Sequence, residues 1–170
     1  MTDARATEVH IRDARPEDRD AILDVTLAAY QEYAARMPGF WDGPSATRAR
    51  PSSSSPSTAA RSWATVLLYP PRRMRLSQRE SLEMPWPEVR LLAVAPSARG
   101  RGVGAALMRE CERRVRLAHG ATLSLHTTDL MQTAMRMYER MGFVRAPELD
   151  FHPAPGVTVK GYRLDLEKAG

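Results

Sequence analysis

The sequence predicts a single α/β domain, and three observations carry that reading. The chain has 170 residues, enough for one domain to bury a core without staples. Short runs that alternate like strands are interleaved with stretches of helical apolar spacing. The strongest strand candidate, Glu88 to Val94 (EVRLLAV), passes through a glycine-rich turn into a helix beginning at Val103.

Glu8 to Arg12 (EVHIR) alternates as a first strand. Pro16 then opens a helix, with Glu17, Asp18 and Asp20 suited to the positive end of its dipole. Ile22, Val25, Ala29 and Tyr33 continue one apolar face to about Ala35, where PGFWDGP (Pro38 to Pro44) breaks it. Thr65 to Tyr69 (TVLLY) reads as a buried strand stopped by Pro70 and Pro71, and Ser81 to Pro87 (SLEMPWP) as a loop. Beyond Glu88 to Val94, the spacing of Val103, Leu107, Cys111 and Val115 predicts a helix ending near Gly120. Thr122 to His126 alternates as a strand, and Met131 to Met141 is a helix stopped by Gly142. Two strands follow, around Phe143 to Arg145 and Val157 to Leu166, with the loop HPAPG before the second.

Composition narrows the function class. The single cysteine, Cys111, excludes an internal disulfide framework and suits a reducing compartment; within the apolar stripe it reads as a buried residue. The charged N-terminus lacks a signal-peptide core, and no apolar run nears the roughly 20 residues that cross a bilayer. A cytoplasmic protein without a membrane partner is expected. The net charge of +5 comes from one place: residues 43–79 hold seven arginines and no acid. Taking those seven from the 25 basic residues leaves 18 against 20 acidic ones. Only Trp63 and Tyr69 stand among these arginines, which is not the aromatic interleaving of a nucleic-acid reader, so no nucleic-acid partner is expected.

Arg99-Gly100-Arg101-Gly102-Val103-Gly104 places three glycines where a strand hands over to a helix. Glycines let backbone approach a ligand, and the free amides of the first helical turn, with the dipole, suit a pyrophosphate. Arg99 and Arg101 would add charge-assisted contacts. Taken alone, such spacing equally fits a tight turn. A dinucleotide fold is disfavoured, because no acid-ended second strand follows about 20 residues later.

RGRGVG resembles the Gln/Arg-x-x-Gly-x-Gly/Ala signature of the GNAT superfamily of N-acetyltransferases, preceded by LLAVAP as that family's fourth strand is. Ala134 to Phe143 (AMRMYERMGF) is similar to the family's second signature, A-x-x-x-Y-x-x-x-G-F. The resemblance covers residues 8–37 loosely and 65–166 well. It implies a central mixed, mostly antiparallel, twisted sheet flanked by helices and splayed where acetyl-CoA inserts. It implies an N-acetyltransferase moving acetyl from acetyl-CoA, without metal, to a small-molecule or peptide amine by direct attack in a ternary complex. A homodimer is left open. Arg99, Gly100, Arg101, Gly102, Val103, Gly104 and Ala105 would hold the pyrophosphate, and the backbone of Leu92 and Val94 the acetyl carbonyl and pantetheine arm. Tyr138 matches the tyrosine that often protonates the departing thiolate. Met131 stands where many members have asparagine, which removes one polar contact.

The chemistry needs a proton acceptor for the amine and an acid for the sulfur. Glu88 lies where some members carry a glutamate acting as base through water; it also reads as a solvated residue at a strand start. His126 could serve instead, or be a packed histidine, and Tyr138 could be an unreactive core residue. A non-catalytic acyl-CoA-binding module would keep RGRGVG and need neither Tyr138 nor Glu88.

The implied fold needs a hairpin where Pro51 to Ala64 reads PSSSSPSTAARSWA. That tract has no alternating apolar face and two prolines lacking ladder donors, so the hairpin is expected to be disrupted. Residues 43–63 should lie outside the core, leaving Thr65 to Tyr69 without its partner on one side. With GC-rich codons, moving the frame back one base turns the tract into VVVVAEHGGQVVG, a valine strand, a Gly-Gly turn and a second strand start. The tract therefore reads as a frame-shifted segment within one domain spanning 1–170, in preference to an evolved linker.

Overall fold

The computed structural model describes residues 9–34, 36, 56–57, 63–76 and 78–167. After β1 (Arg12–Asp13), a turn at Pro16–Asp18 leads into α1 (Arg19–Ala34). The entry is fixed by Asp18, whose carboxylate accepts from the Arg15 amide at 2.8 Å and from both terminal nitrogens of Arg12 at 2.6 and 2.8 Å. Then come β2 (Pro56–Ser57), β3 (Ala64–Tyr69), β4 (Arg72–Arg75), β5 (Ser81–Met84), β6 (Glu88–Val94), α2 (Val103–Leu117), β7 (Thr122–Thr127), α3 (Gln132–Arg140), β8 (Val144–Arg145), β9 (Phe151–Ala154) and β10 (Val157–Asp165). Among the described residues the main sheet runs β1-β2-β3-β6-β7-β10-β8, with β9 also on β10. Its pairs are antiparallel except β6 with β7. This is the expected mixed sheet with flanking helices.

The expected apolar spacing does form the core. Val103, Leu107, Cys111 and Val115 on α2 are buried against Ala64, Val66, Val89, Leu123 and Leu125 of the sheet, with Tyr138 and Phe143 closing one end. Burial pushes the Cys111 thiol up to about 12, so it stays protonated and inert. A second cluster joins Val25 and Ala29 of α1 to Ala93 of β6.

Four expectations need correction. Ser81–Met84 is a strand, not a loop; it pairs antiparallel with β4 from Arg72↔Met84 to Arg75↔Ser81. Arg72 and Met74 turn inward and Arg73 and Arg75 outward, so this hairpin has its period of two with arginine on both faces. The loop HPAPG shrinks to Pro155 and Gly156, because Phe151–Ala154 folds back on β10, with Gly156 at φ 75° closing the turn. The first strand begins later than expected, at Arg12; Val9 and Ile11 pack against the core with no ladder partner among the described residues, and Glu8 lies outside them. In the serine tract, Pro56–Ser57 does pair, as Asp13↔Pro56, Arg12↔Ser57 and Ser57↔Thr65. A proline is tolerated as the first residue of a strand, where its missing amide costs no ladder bond. Residues 43–55 and 58–62 lie outside the described residues, and Trp63 is exposed, as expected of that segment.

Candidate functional site

The site begins with a backbone irregularity. Thr65 pairs with Ala93 and Leu67 with Arg90, so β6 carries one extra residue between those pairs. Leu91 lies there at φ 49°, a left-handed conformation uncommon for a branched side chain. Four residues along a regular strand return to the same face. Here Val89 joins the α2 core whereas Ala93 faces α1, because the bulge turns the strand over. The parallel pairing with β7 registers at Glu88↔Ser124 and Val89↔Leu125, with no further pair among the described residues. Beyond Val89 the two strands therefore part, and the edge of Leu92 and Val94 faces an opening.

The mouth of that opening is the glycine turn. Gly100 and Gly102 adopt φ 74° and 73°, and a Cβ built on either would meet nothing within 4 Å. Gly102 caps α2, so the amides of Val103, Gly104 and Ala105 have no intrahelical acceptor. A Cβ on Gly104 would lie 3.5 Å from Val94 Cγ2 and from Met137 Sδ, an ordinary contact distance, so α2 lies against β6 and α3 here. Arg101 is exposed with no ion-pair partner among the described residues. At the C-terminal end of β7, the hydroxyls of Thr127 (3% exposed) and Thr128 (7%) are buried without a hydrogen-bond partner among the described residues. Buried hydroxyls are normally paired. An open amide cradle leading to orphaned hydroxyls fits a long polar ligand with an anionic end.

Arg99 is placed differently from the sequence expectation. Its Nη2 donates to the Ala29 carbonyl at 3.1 Å and pairs with Glu32 Oε1 at 2.8 Å, while Nε makes a long contact of 3.4 Å to the Val94 carbonyl. The guanidinium thus points at α1 and at β6.

Around the opening stand three tyrosines, of which the sequence singled out one. Tyr138 is buried against Phe143, ring centroids 5.9 Å apart, and no partner for its hydroxyl is found among the described residues. Burial, with Tyr30 and Tyr33 adding to it, pushes its phenol above the ordinary tyrosine value. Tyr30 donates to the Leu92 carbonyl at 3.1 Å and stacks edge-on with Tyr33 at 6.2 Å. Burial likewise raises the Tyr30 phenol. In the sequence Tyr33 belongs to the apolar helix face with Ile22, Val25 and Ala29, and nothing there singles out Tyr30.

Glu88 is not a solvated strand start: it is 1% exposed. Its Oε2 accepts from Arg72 Nη2 at 2.5 Å and its Oε1 meets His126 Nδ1 at 2.7 Å. The other ring nitrogen, Nε2, lies 2.8 Å from the Leu149 carbonyl. A carbonyl only accepts, so Nε2 carries a proton, and Glu88 and His126 share a second one. Burial alone would raise the Glu88 carboxyl. The His126 hydrogen bond and the charges of Arg90, His126 and Arg72 outweigh it and hold the carboxyl below its ordinary range. Arg72 also lies 4.2 Å above the Tyr69 ring, while its Nη1 is buried without a partner among the described residues. Glu88 and His126 are thus brought together, and the unexpected β4–β5 hairpin supplies their cation. A separate depression of about 650 Å³, lined by Trp86, Thr122, Val144 and Arg163, lies at the other end of the strands and touches none of these groups.

The chain resembles known proteins in part of its sequence and in its fold. The acetyltransferase (GNAT) domain family matches residues 73–145. A GNAT-family acetyltransferase of Brucella melitensis, solved in complex with acetyl-CoA, is 26% identical, covers 81% of this chain and 83% of that one, and superposes with a TM-score of 0.58. Residues 73–145 thus match the acetyltransferase (GNAT) domain family, and the fold is that of GNAT-family structures. A GNAT-family structure from Desulfovibrio desulfuricans shares the fold over 93% of this chain and 99% of its own, at 19% identity and a TM-score of 0.63. Among curated proteins, the N-acetylaspartate synthetase of Xenopus tropicalis is 32% identical over 71 residues, or 42% of this chain. That match spans 26% of the synthetase, about a quarter of its length. No helix among the described residues is long and apolar enough to cross a membrane.

Proposed function

We propose that this chain is an N-acetyltransferase that moves the acetyl group of acetyl-CoA to a primary amine by direct attack in a ternary complex. The observation that carries the reading is the opening between β6 and β7, created by the Leu91 bulge and entered past the amide cradle at residues 99–105. In this reading the pyrophosphate rests on the amides of Val103, Gly104 and Ala105 beside Arg101, and the pantetheine arm runs along the free edge of Leu92 and Val94. The amine nitrogen attacks the thioester carbonyl, the new C–N bond forms and the C–S bond breaks. The proton lost by the amine passes through water to Glu88, and the proton gained by the sulfur comes from Tyr138.

A competing reading draws on the Glu88 contacts. Both of its oxygens are already engaged, as they would be in a non-catalytic acyl-CoA-binding module. The two readings separate in one experiment: acetyl-CoA binding by calorimetry, followed by thiol release across a panel of amines, amino acids and peptide N-termini. Binding with acceptor-dependent release is the expected result. Binding with release no faster than the buffer rate for every acceptor would leave the module reading standing.

A further inference from the structure

The cradle, the parting strand and α1 meet at one side chain. From the turn that precedes α2, Arg99 reaches across to the Ala29 carbonyl and the Glu32 carboxylate on α1 and touches the Val94 carbonyl at the end of β6. Arg99 and Glu32 are each nearly half exposed, at 43% and 46%, and such an ion pair alone is weak. The planar guanidinium, however, spans two carbonyls and a carboxylate at once, which a point charge cannot do. One residue away from Ala29, Tyr30 bonds the Leu92 carbonyl, so a single stretch of α1 is tied to β6 at two points. That stretch, residues 29–33, also carries Tyr33 and faces the opening where Tyr138 is buried.

We infer that Arg99 is a positioning residue, which fastens the last two turns of α1 over the opening so that Tyr30 and Tyr33 form a fixed wall for the acceptor, and is not primarily a ligand of the cosubstrate phosphates. An arginine in an anion cradle would be expected to point at the anion; this one is already committed to α1. Arg101, exposed on the same turn, is the cation left for the phosphates. The inference rests on the acetyl-transfer reading only for what the wall faces, because the fastening itself is a property of the free chain.

Two measurements test it. Hydrogen exchange on the ligand-free chain reads the fastening: Arg99→Ala should speed exchange of the amides of 29–34 roughly tenfold while those of α2 hold. Unchanged exchange in that variant overturns the inference, whatever the catalytic result. Kinetics then read the consequence. Arg99→Ala should raise the acceptor KM roughly tenfold and move the acetyl-CoA Kd by less than about threefold, and Arg101→Ala should do the reverse. Arg99→Lys keeps a charge for Glu32 and should restore part of the acceptor affinity, since its single ammonium cannot reach both carbonyls. Loss of about tenfold or more in acetyl-CoA affinity for Arg99→Ala, with the acceptor KM unmoved, would make Arg99 a phosphate ligand and sink the proposal. A chain whose α1 exchange rises as expected but which binds no acetyl-CoA would keep the fastening and lose the acetyl-transfer reading.

Discussion

Replacing Tyr138 with phenylalanine should lower turnover roughly 10²–10⁴-fold, the usual contribution of a positioned general acid, with acetyl-CoA affinity within about threefold of the parent. The ring fills the core between α3 and the sheet and packs on Phe143, so phenylalanine keeps every apolar contact. The hydroxyl has no partner among the described residues, so its loss strands no other buried group and should change stability by about 1 kcal/mol or less. Burial keeps the phenol protonated across the neutral range, which makes its proton available. The same burial sets a limit. A free thiol titrates near 8.5, below this phenol, so transfer to a fully formed thiolate runs uphill. The proton therefore helps most while the C–S bond is breaking, as a hydrogen bond that strengthens in the transition state. Stopped-flow thiol release at saturating acetyl-CoA measures the effect. Parent-like rates would mean that water protonates the sulfur.

How far the sequence could be read depended on whether a feature lives in side-chain pattern or in backbone geometry. β6 has the bounds its residues suggested, and the α2 stripe from Val103 to Val115 is buried as its spacing requires. The glycine turn was legible because only glycine takes φ near 74° without strain. The Leu91 bulge was not, since an ordinary leucine adopts the positive φ and nothing in EVRLLAV announces it. The β4–β5 hairpin hid for another reason. Arg72 turns inward to Glu88 and the Tyr69 ring while Arg73 turns outward to Glu83, and a polarity pattern cannot tell a paired buried arginine from a solvated one. Of the two readings the sequence allows for Glu88, a base or a solvated strand start, burial removes the second, and the cation that makes burial tolerable comes from that hairpin. We propose that residues 43–63 owe their composition to a shifted frame. Resequencing should find compensating one-base changes near Gly43 and Ala64, and restoring the decoded residues should raise both melting temperature and activity. An intact frame ends that proposal.

Glu88→Gln should cost about 3 kcal/mol of stability at neutral pH and lose acetyl transfer mainly on the acid side of the rate profile. Removing one member of a buried ion pair leaves the other uncompensated, which typically costs about 3–5 kcal/mol. The low end is expected because Arg72 keeps partial contact with water, its side chain being 23% exposed. Glutamine preserves the shape but carries no charge and offers one carbonyl to two donors, so Arg72 loses its anion and either Arg72 Nη2 or His126 Nδ1 goes without an acceptor. The exposed Arg73–Glu83 pair is the control: Glu83→Gln should cost less than about 1 kcal/mol. The pH dependence has a definite sign. The Glu88 carboxyl is held below its ordinary value of 4.5, so its stabilisation is fully present above that value and is lost as pH falls through the folded one. Urea unfolding of parent and variant should accordingly differ by a constant amount at neutral pH and converge in acid. A difference under about 1 kcal/mol that stays flat with pH would remove the ion-pair explanation. Catalysis reads the second role. At low pH the acceptor is an ammonium and must give up a proton, so the variant's deficit should be greatest there. At high pH the acceptor arrives as the free amine, whose remaining N–H proton is lost only after attack and can pass to solvent hydroxide, and the two rates should approach each other. Equal deficits at every pH, in samples shown to be folded, would mean that Glu88 holds Arg72 and His126 in place and takes no proton itself.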